Sequence, residues 1–217
     1  MWKALVYKEL RETRGLAALA LLAYLFLLYN LIALAVKLGT IASSEIPFVG
    51  VGLEGVFIFI SVLLATAVGL KQTIGESLGN TWLFLFHRPV ERWKLVALKL
   101  AVGMTVVLSL MALPILVYAH WAATPGTHAS PFEWSMTRNA WQGWLAMTPI
   151  YLAAFLVGLR PGRWFGSRLL PLAGTALVTV MIQGFPWWWP AGALAILLLD
   201  AWLAAAIFYV AKTRDFG

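Results

Sequence analysis

Six long apolar runs dominate this sequence, and they constrain its fold more than any other feature. The first run, residues 16–36, is 21 residues long and carries no charge. A helix needs about 20 apolar residues to cross a hydrocarbon core of about 30 Å. In the whole chain 62% of residues are hydrophobic and 12% are charged, whereas soluble domains have roughly 45–50% and about 25%. We therefore predict an all-α, polytopic membrane protein and exclude a soluble globule.

The apolar runs predict six transmembrane helices within a single domain that covers residues 1–217. The first run is longer than the apolar region of a signal peptide, so we interpret it as a retained span. The fifth run is the least regular, because Pro171 lies in its first turn and Pro186 follows its end. The six predicted spans are residues 16–36, 48–70, 96–118, 141–159, 169–185 and 191–211.

The positive charges of the chain fall mainly on one side of the predicted bundle. If the amino terminus is cytoplasmic, 14 of the 16 Lys and Arg residues lie on the cytoplasmic side, and Lys37 and Arg138 lie outside. Short loops rich in Lys and Arg are retained in the cytoplasm. We expect a multi-pass membrane protein with both termini in the cytoplasm. This topology explains the net charge of +7, and no nucleic-acid partner is expected.

Several kinds of catalytic and metal site are absent from the sequence. The chain has no cysteine, which excludes disulfides, thiolate nucleophiles and Cys-ligated metals. His120 and His128 lie in an outer loop without the spacing of a helical zinc site, so no metal site is predicted. Residues 69–73 lack the Gly-Lys-Ser/Thr ending that binds phosphate. The chain itself is therefore predicted not to be an enzyme.

The segment before the first span combines apolar residues at helical spacing with basic residues between them. This pattern predicts an amphipathic helix that lies at the inner membrane surface. An ordinary positively charged flank of the first span is the alternative interpretation. The residues that define this predicted interfacial helix are Trp2, Leu5, Lys8 and Arg11.

The loop between the second and third spans, residues 71–94, mixes charged residues with large apolar ones. A cytoplasmic segment of this kind predicts a short helix whose apolar face is covered by another protein. The alternative is an interfacial helix that buries the same apolar face in lipid. Pro89 is expected to end this helix before the third span begins. The candidate docking residues are Glu76, Thr81, Trp82, Phe84, Arg88, Pro89 and Arg92.

Three ionisable residues lie within predicted spans. Glu54 and Asp200 are costly in lipid and are expected to face the bundle interior or water. They suit either a proton or cation relay or hydrogen bonds from neighbouring helices. Lys99 lies near the inner boundary, where its side chain is expected to extend toward the headgroups.

Charged motifs flank the predicted spans in a characteristic order. Lys8-Glu9-Leu10-Arg11-Glu12 precedes the first span, Arg88-Pro89-Val90-Glu91-Arg92 precedes the third, and Lys212-Thr213-Arg214-Asp215 closes the chain. In this layout the chain resembles the membrane subunits of type-two ABC exporters. The resemblance implies a permease that pairs with a second permease chain and with a separate cytoplasmic ABC-type ATPase. ATP and magnesium would be bound by that partner subunit.

The resemblance also implies roles for the inner segments. The amino-terminal helix and the loop 71–94 would form a platform, and the loop would act as a coupling helix through which Glu76, Arg88, Pro89 and Arg92 move the spans. The chain departs from the family in being short and in leaving little room for re-entrant helices between the last two spans. Two other functions stay open: an anchor or accessory subunit that docks a soluble partner, and a proton-coupled carrier using Glu54 and Asp200.

Overall fold

The computed structural model describes residues 2–38, 48, 51–78, 91–127, 132–160, 167–184 and 189–213. Within its helices, the side chains of residues 34–38, 51–54, 78 and 189 are not described. The described chain is helical and forms no strand. Its α-helices are α1 (Trp2–Leu38), α2 (Val51–Leu78), α3 (Arg92–Ala123), α4 (Arg138–Leu159), α5 (Leu170–Gln183) and α6 (Trp189–Thr213).

Five of these helices are long and apolar enough to cross a membrane. They are α1, α2, α3, α4 together with the preceding 3-10 turn Trp134–Thr137, and α6. The fifth helix, α5, has only 14 residues, which span about 21 Å at 1.5 Å per residue. The described residues thus confirm the all-helical class, and their five long apolar helices are compatible with a polytopic membrane protein.

The first helix carries an exposed apolar stripe. Leu19, Leu22, Phe26 and Tyr29 are each exposed over more than two thirds of their surface, although they are large and apolar. Contiguous apolar surface of this size is rare on a water-soluble monomer. This side of α1 is therefore suited to contact lipid and not water.

The predicted separate interfacial helix is not present, because α1 continues without a break from Trp2 into the first span. The helix has 37 residues and is about 55 Å long. Its first turns use a polar face for packing: Glu9 and Thr13, one helical turn apart, are both buried. A side chain buried in protein cannot rest on the membrane surface, which is why this segment does not lie flat.

The fourth helix occupies the centre of the bundle. Of its most apolar stretch 89% is buried, against 17% for α1 and for α6. It is also the least hydrophobic of the five long helices, with a mean hydropathy of 1.4. A helix shielded from lipid has no need of large apolar residues, and small ones let its neighbours approach closely. The buried small residues of α4 include Ala146, Ala153, Ala154 and Gly158.

Two glycines set the close contact between α2 and α4. A Cβ atom on Gly69 of α2 would lie 2.7 Å from the backbone oxygen of Tyr151 in α4. In the other direction, a Cβ atom on Gly158 of α4 would collide with the hydroxyl of Thr73 in α2. Both helices therefore need a residue without a side chain at the crossing.

Candidate functional site

The end of the bundle where α1 and α3 begin and α2 and α4 end carries a group of charges that is mostly buried. We call this end the basic end, and its four charged residues Lys8, Glu9, Glu76 and Lys99 the ionic cluster. Each of the three long helices α1, α2 and α3 contributes at least one of these residues. The cluster brings together residues that are far apart in the sequence.

Lys99 is the centre of the ionic cluster. Its Nζ lies 2.6 Å from Oε1 of Glu9 and 2.8 Å from Oε1 of Glu76. All three residues are at most 4% exposed. The expectation that Lys99 extends toward the headgroups is therefore wrong. Two carboxylates within hydrogen-bonding distance neutralise the ammonium group inside the protein, so it has no need to reach the membrane surface.

Lys8 completes the charge balance of the cluster. Its Nζ donates to Oε1 of Glu76 at 2.5 Å and lies 3.4 Å from Glu12, one turn further along α1. The ionic cluster thus contains two ammonium groups and two carboxylates. An unpaired charge is expensive to bury, whereas charges that are paired and hydrogen-bonded are tolerated. This balance explains how four ionisable groups fit between helices of a membrane bundle.

Gln72 and Tyr151 extend the ionic cluster to the central helix. The amide of Gln72 donates to the backbone oxygen of Lys99 at 3.0 Å and to Glu9 at 3.3 Å. The hydroxyl of Tyr151 in α4 donates to Oε1 of Gln72 at 2.7 Å. One hydrogen-bonded network therefore joins α1, α2, α3 and α4.

Gly103 provides the space for these two polar side chains. A Cβ atom at this position of α3 would collide with both Oε1 of Gln72 and the hydroxyl of Tyr151. The backbone of α3 lies directly against the hydrogen bond between them. A glycine is consequently required here for the network to form.

Carboxylates of Glu9, Glu12 and Glu76 lie within 4.8 Å of one another, a spacing that suits a metal ion. However, Lys8 and Lys99 between them already contact all three carboxylates. A metal ion here would be repelled by two adjacent ammonium groups. The lysines neutralise the carboxylates, and the resulting ion pairs connect α1, α2 and α3.

The structure brings together only some of the residues that the sequence indicated. Glu76 and Lys8 belong to the ionic cluster, and Leu5 is buried in the hydrophobic core. Trp2 and Arg11 are exposed on α1, and Arg92 is exposed at the start of α3. The other predicted coupling residues lie outside the described residues: Thr81, Trp82, Phe84, Arg88 and Pro89.

Sequence reasoning missed the roles of Glu9, Gln72 and Tyr151, and it misplaced Lys99. One signal was available. Leu5, Glu9 and Thr13 recur every four residues, so they share one face of a helix, and the structure buries all three. A charged residue on a face that begins with a buried leucine predicts a charged partner on another helix.

One backbone end near the basic end is also secured by a side chain. Arg168 donates to the carbonyl oxygens of Val157 and Gly158, at 2.9 and 3.1 Å, which have no partner within a helix that ends at Leu159. Partial burial lowers the pKa of Arg168.

At the start of α3, hydrogen bonds from Lys94 and Trp93 lower the pKa of the exposed Glu91.

A second polar site lies in the middle of the bundle. Oδ2 of Asp200 in α6 lies 2.5 Å from the hydroxyl of Thr148 in α4. The other oxygen, Oδ1, is buried and has no hydrogen-bond partner among the described residues. Asp200 therefore faces α4, as expected of an ionisable residue within a span. Glu54 lies in α2, and its side chain is outside the described residues.

Comparisons with models of known protein families, with curated proteins and with solved structures gave no match to this chain.

Proposed function

We propose that this chain is the transmembrane permease subunit of an ATP-driven exporter of the type-two ABC kind. In this proposal it lies in the bacterial inner membrane with both termini in the cytoplasm. It pairs with a second permease chain, and a separate ATPase that binds ATP and magnesium docks on the basic end. The docking surface is the segment between α2 and α3 together with the start of α1.

The ionic cluster is the observation that supports this proposal. Glu76 lies two residues before α2 ends at Leu78, and Lys99 lies seven residues after α3 begins at Arg92. The segment between these helices, residues 79–91, is thus flanked by the two members of a buried ion pair, one in each helix. Glu9 ties the first helix to the same point. A force applied to this segment would move α1, α2 and α3 together.

The proposed mechanism follows from this connection. Closure of the ATPase on ATP displaces the segment 79–91, and the ionic cluster carries the displacement to three helices. The shared contact with α4 through Gln72 and Tyr151 lets the central helix follow. The spans then exchange an inward-facing for an outward-facing arrangement.

The same structure is compatible with two other functions. An anchor subunit that docks a soluble partner would use the same basic end but would show no ATP-dependent activity. A proton-coupled carrier would use Asp200, whose buried and unpartnered Oδ1 is suited to accept a proton. Transport that is abolished by Asp200→Asn and indifferent to ATP would favour the carrier.

The docking partner can be identified by site-specific photo-crosslinking in the membranes of the source bacterium. A photoreactive phenylalanine analogue replaces Arg92, at the start of α3, and in a matched control replaces Arg138, at the start of α4. We expect position 92 to crosslink to an ATP-binding protein and position 138 to give no such product. If position 92 captured only a protein that does not bind nucleotide, the proposal would be wrong.

The absence of cysteine in the sequence makes the proposed topology simple to test. Single cysteines are introduced by Arg11→Cys and by Thr127→Cys, at exposed or loop positions of opposite ends of the bundle. In intact spheroplasts a membrane-impermeant maleimide is expected to label position 127 but not position 11. The reverse pattern would place the basic end outside the cell and contradict the proposal.

A further inference from the structure

A cavity of about 190 Å³ lies at the end of the bundle opposite the ionic cluster. Its wall is mainly apolar and comes from several helices, with Leu28 from α1, Phe57 from α2 and Ile115 from α3. An apolar cavity of about 150 Å³ stays dry and takes up a molecule of the size of benzene. The cavity described here is thus large enough for part of a hydrocarbon chain.

Gly143 shows that the space is built into the packing of α4. This residue is buried, yet among the described residues a Cβ atom placed on it would meet no atom within 4 Å beyond its chain neighbours and the nearby backbone of α4. Buried positions in close-packed proteins normally touch several other residues. At Gly143 the missing side chain faces the cavity, and any larger residue would reduce its volume.

Uncharged polar groups form the remaining part of the cavity wall. Asn139 and Gln142 of α4 and Gln183 of α5 line it, and no described lining residue is charged. The amide of Gln183 donates to the backbone oxygen of Gln142 at 3.2 Å, which holds the two helices together at this point. Ligand pockets use a few such groups in an apolar wall to fix the orientation of a polar part of the ligand. The lining favours a ligand that has an uncharged polar group.

The position of Ile58 indicates the direction from which a ligand enters. Ile58 of α2 lines the cavity and is 43% exposed, so the cavity is open at this residue. It lies within the membrane-crossing part of α2, Gly55–Ser77. The cavity therefore reaches the surface of the described bundle at a depth where lipid chains, not water, surround the protein.

We propose that this cavity binds the hydrocarbon chain of an uncharged amphiphile that enters from the bilayer beside α2. The chain lies among the apolar residues of α1, α2 and α3, and the uncharged headgroup lies beside the amides of Asn139 and Gln183. A monoacylglycerol has this chemistry. Binding is independent of ATP; that such a molecule is the transported cargo rests on the proposed function.

The test is photolabelling of the full-length chain in phosphatidylcholine nanodiscs without nucleotide. The probe is a monoacylglycerol with a diazirine on its chain, and a fatty acid with the same chain serves as the anionic comparison. Labelled residues are mapped by mass spectrometry. We expect labelling on the segments around Leu28 and Ile115, stronger by about tenfold for the uncharged probe than for the fatty acid. ATPase activity plays no part in this readout, so its absence would count against the proposed function alone.

Filling the cavity provides the decisive variants. Gly143→Leu is expected to reduce labelling by about tenfold. Gly174→Leu in α5, where a Cβ likewise meets no described atom within 4 Å beyond its chain neighbours and the nearby helix backbone, is expected to leave labelling unchanged. Ala140→Leu, which fills the same cavity, replaces the first variant if that protein does not fold. Unchanged labelling in the cavity variants would overturn the proposal. Labelling confined to the outer surface of the helices would also overturn the proposal. This result is expected if residues 39–47 or a second copy of the chain occupied the cavity.

Discussion

The substitution Lys99→Met removes the central positive charge of the ionic cluster with little change in side-chain length. Glu76 would keep Lys8 as a partner, but among the described residues the Glu9 carboxylate would keep only the amide of Gln72, at 3.3 Å. Glu9 is 2% exposed, so water cannot solvate its charge. Removing one member of a buried ion pair costs about 3–5 kcal/mol. We expect Lys99→Met to lower the free energy of unfolding by about that amount.

Lys94→Met provides a matched control on the same helix. Lys94 pairs with Glu91 at 2.8 Å, but both side chains are about half exposed. An exposed pair of this kind contributes about 0.2–1 kcal/mol. Both variants can be compared by unfolding in mixed SDS micelles, followed by the fluorescence of the 12 tryptophans. A second change, Glu9→Gln, removes the stranded carboxylate and is expected to restore part of the loss caused by Lys99→Met.

Two results would refute this reasoning. One is a Lys99→Met protein as stable as the Lys94→Met control, which would mean that the buried ion pairs do not contribute more than an exposed one. The other is a Glu9→Gln change that destabilises Lys99→Met further, which would mean that Glu9 is stabilised by something other than Lys99.

The remaining predictions use the same unfolding measurement. Gly69→Ala is expected to cost about 1–3 kcal/mol, because its Cβ would press on the backbone of α4, whereas Gly174→Ala should be neutral or slightly stabilising. Asp200→Asn is expected to change stability by less than about 1 kcal/mol, because an amide still contacts Thr148, whereas Thr148→Val should cost about 1–3 kcal/mol. The effect of Glu91→Gln should disappear in acid: Lys94 lowers the pKa of Glu91 below its usual 4.5, so the stabilisation is present above that pH and lost as the pH falls through the lowered pKa.

Each of these predictions has a result that contradicts it. Equal effects of alanine at positions 69 and 174 would show that α2 and α4 are not held at the distance described. A larger loss from Asp200→Asn than from Thr148→Val would show that Asp200 needs its charge. An effect of Glu91→Gln that grows in acid would show that Lys94 does not stabilise the carboxylate.

The sequence was sufficient to predict the helical membrane class, because the length of an apolar run alone decides whether a helix can cross lipid. It was not sufficient for α1. The basic and apolar residues around Lys8 are compatible with a helix lying on the membrane surface and equally with the first turns of a continuous α1. Only the contacts with α2 and α3 distinguish these two arrangements. The short α5 was signalled by Pro171, which lies in the first turn of the helix.

The candidate site was predictable only in its location. The charges around residues 71–94 indicated the correct end of the bundle, and Glu76 was among the residues selected. The pairing of Glu9 with Lys99 joins positions 90 residues apart, and periodicity within one helix contains no information about such a contact. The sequence also did not predict the requirement for glycine at positions 103 and 158, because this requirement arises from side chains of neighbouring helices.

The most direct test of the central claim measures ATP hydrolysis by the affinity-purified chain and its copurifying proteins in nanodiscs. The wild-type preparation is compared with the double variant Arg88→Ala, Arg92→Ala and with the control Arg138→Ala at the opposite end of the bundle. The account predicts vanadate-sensitive hydrolysis that copurifies with wild type and with the control, and that falls by about tenfold or more in the double variant. Hydrolysis that is absent from the wild type, or equal in all three preparations, would contradict the account.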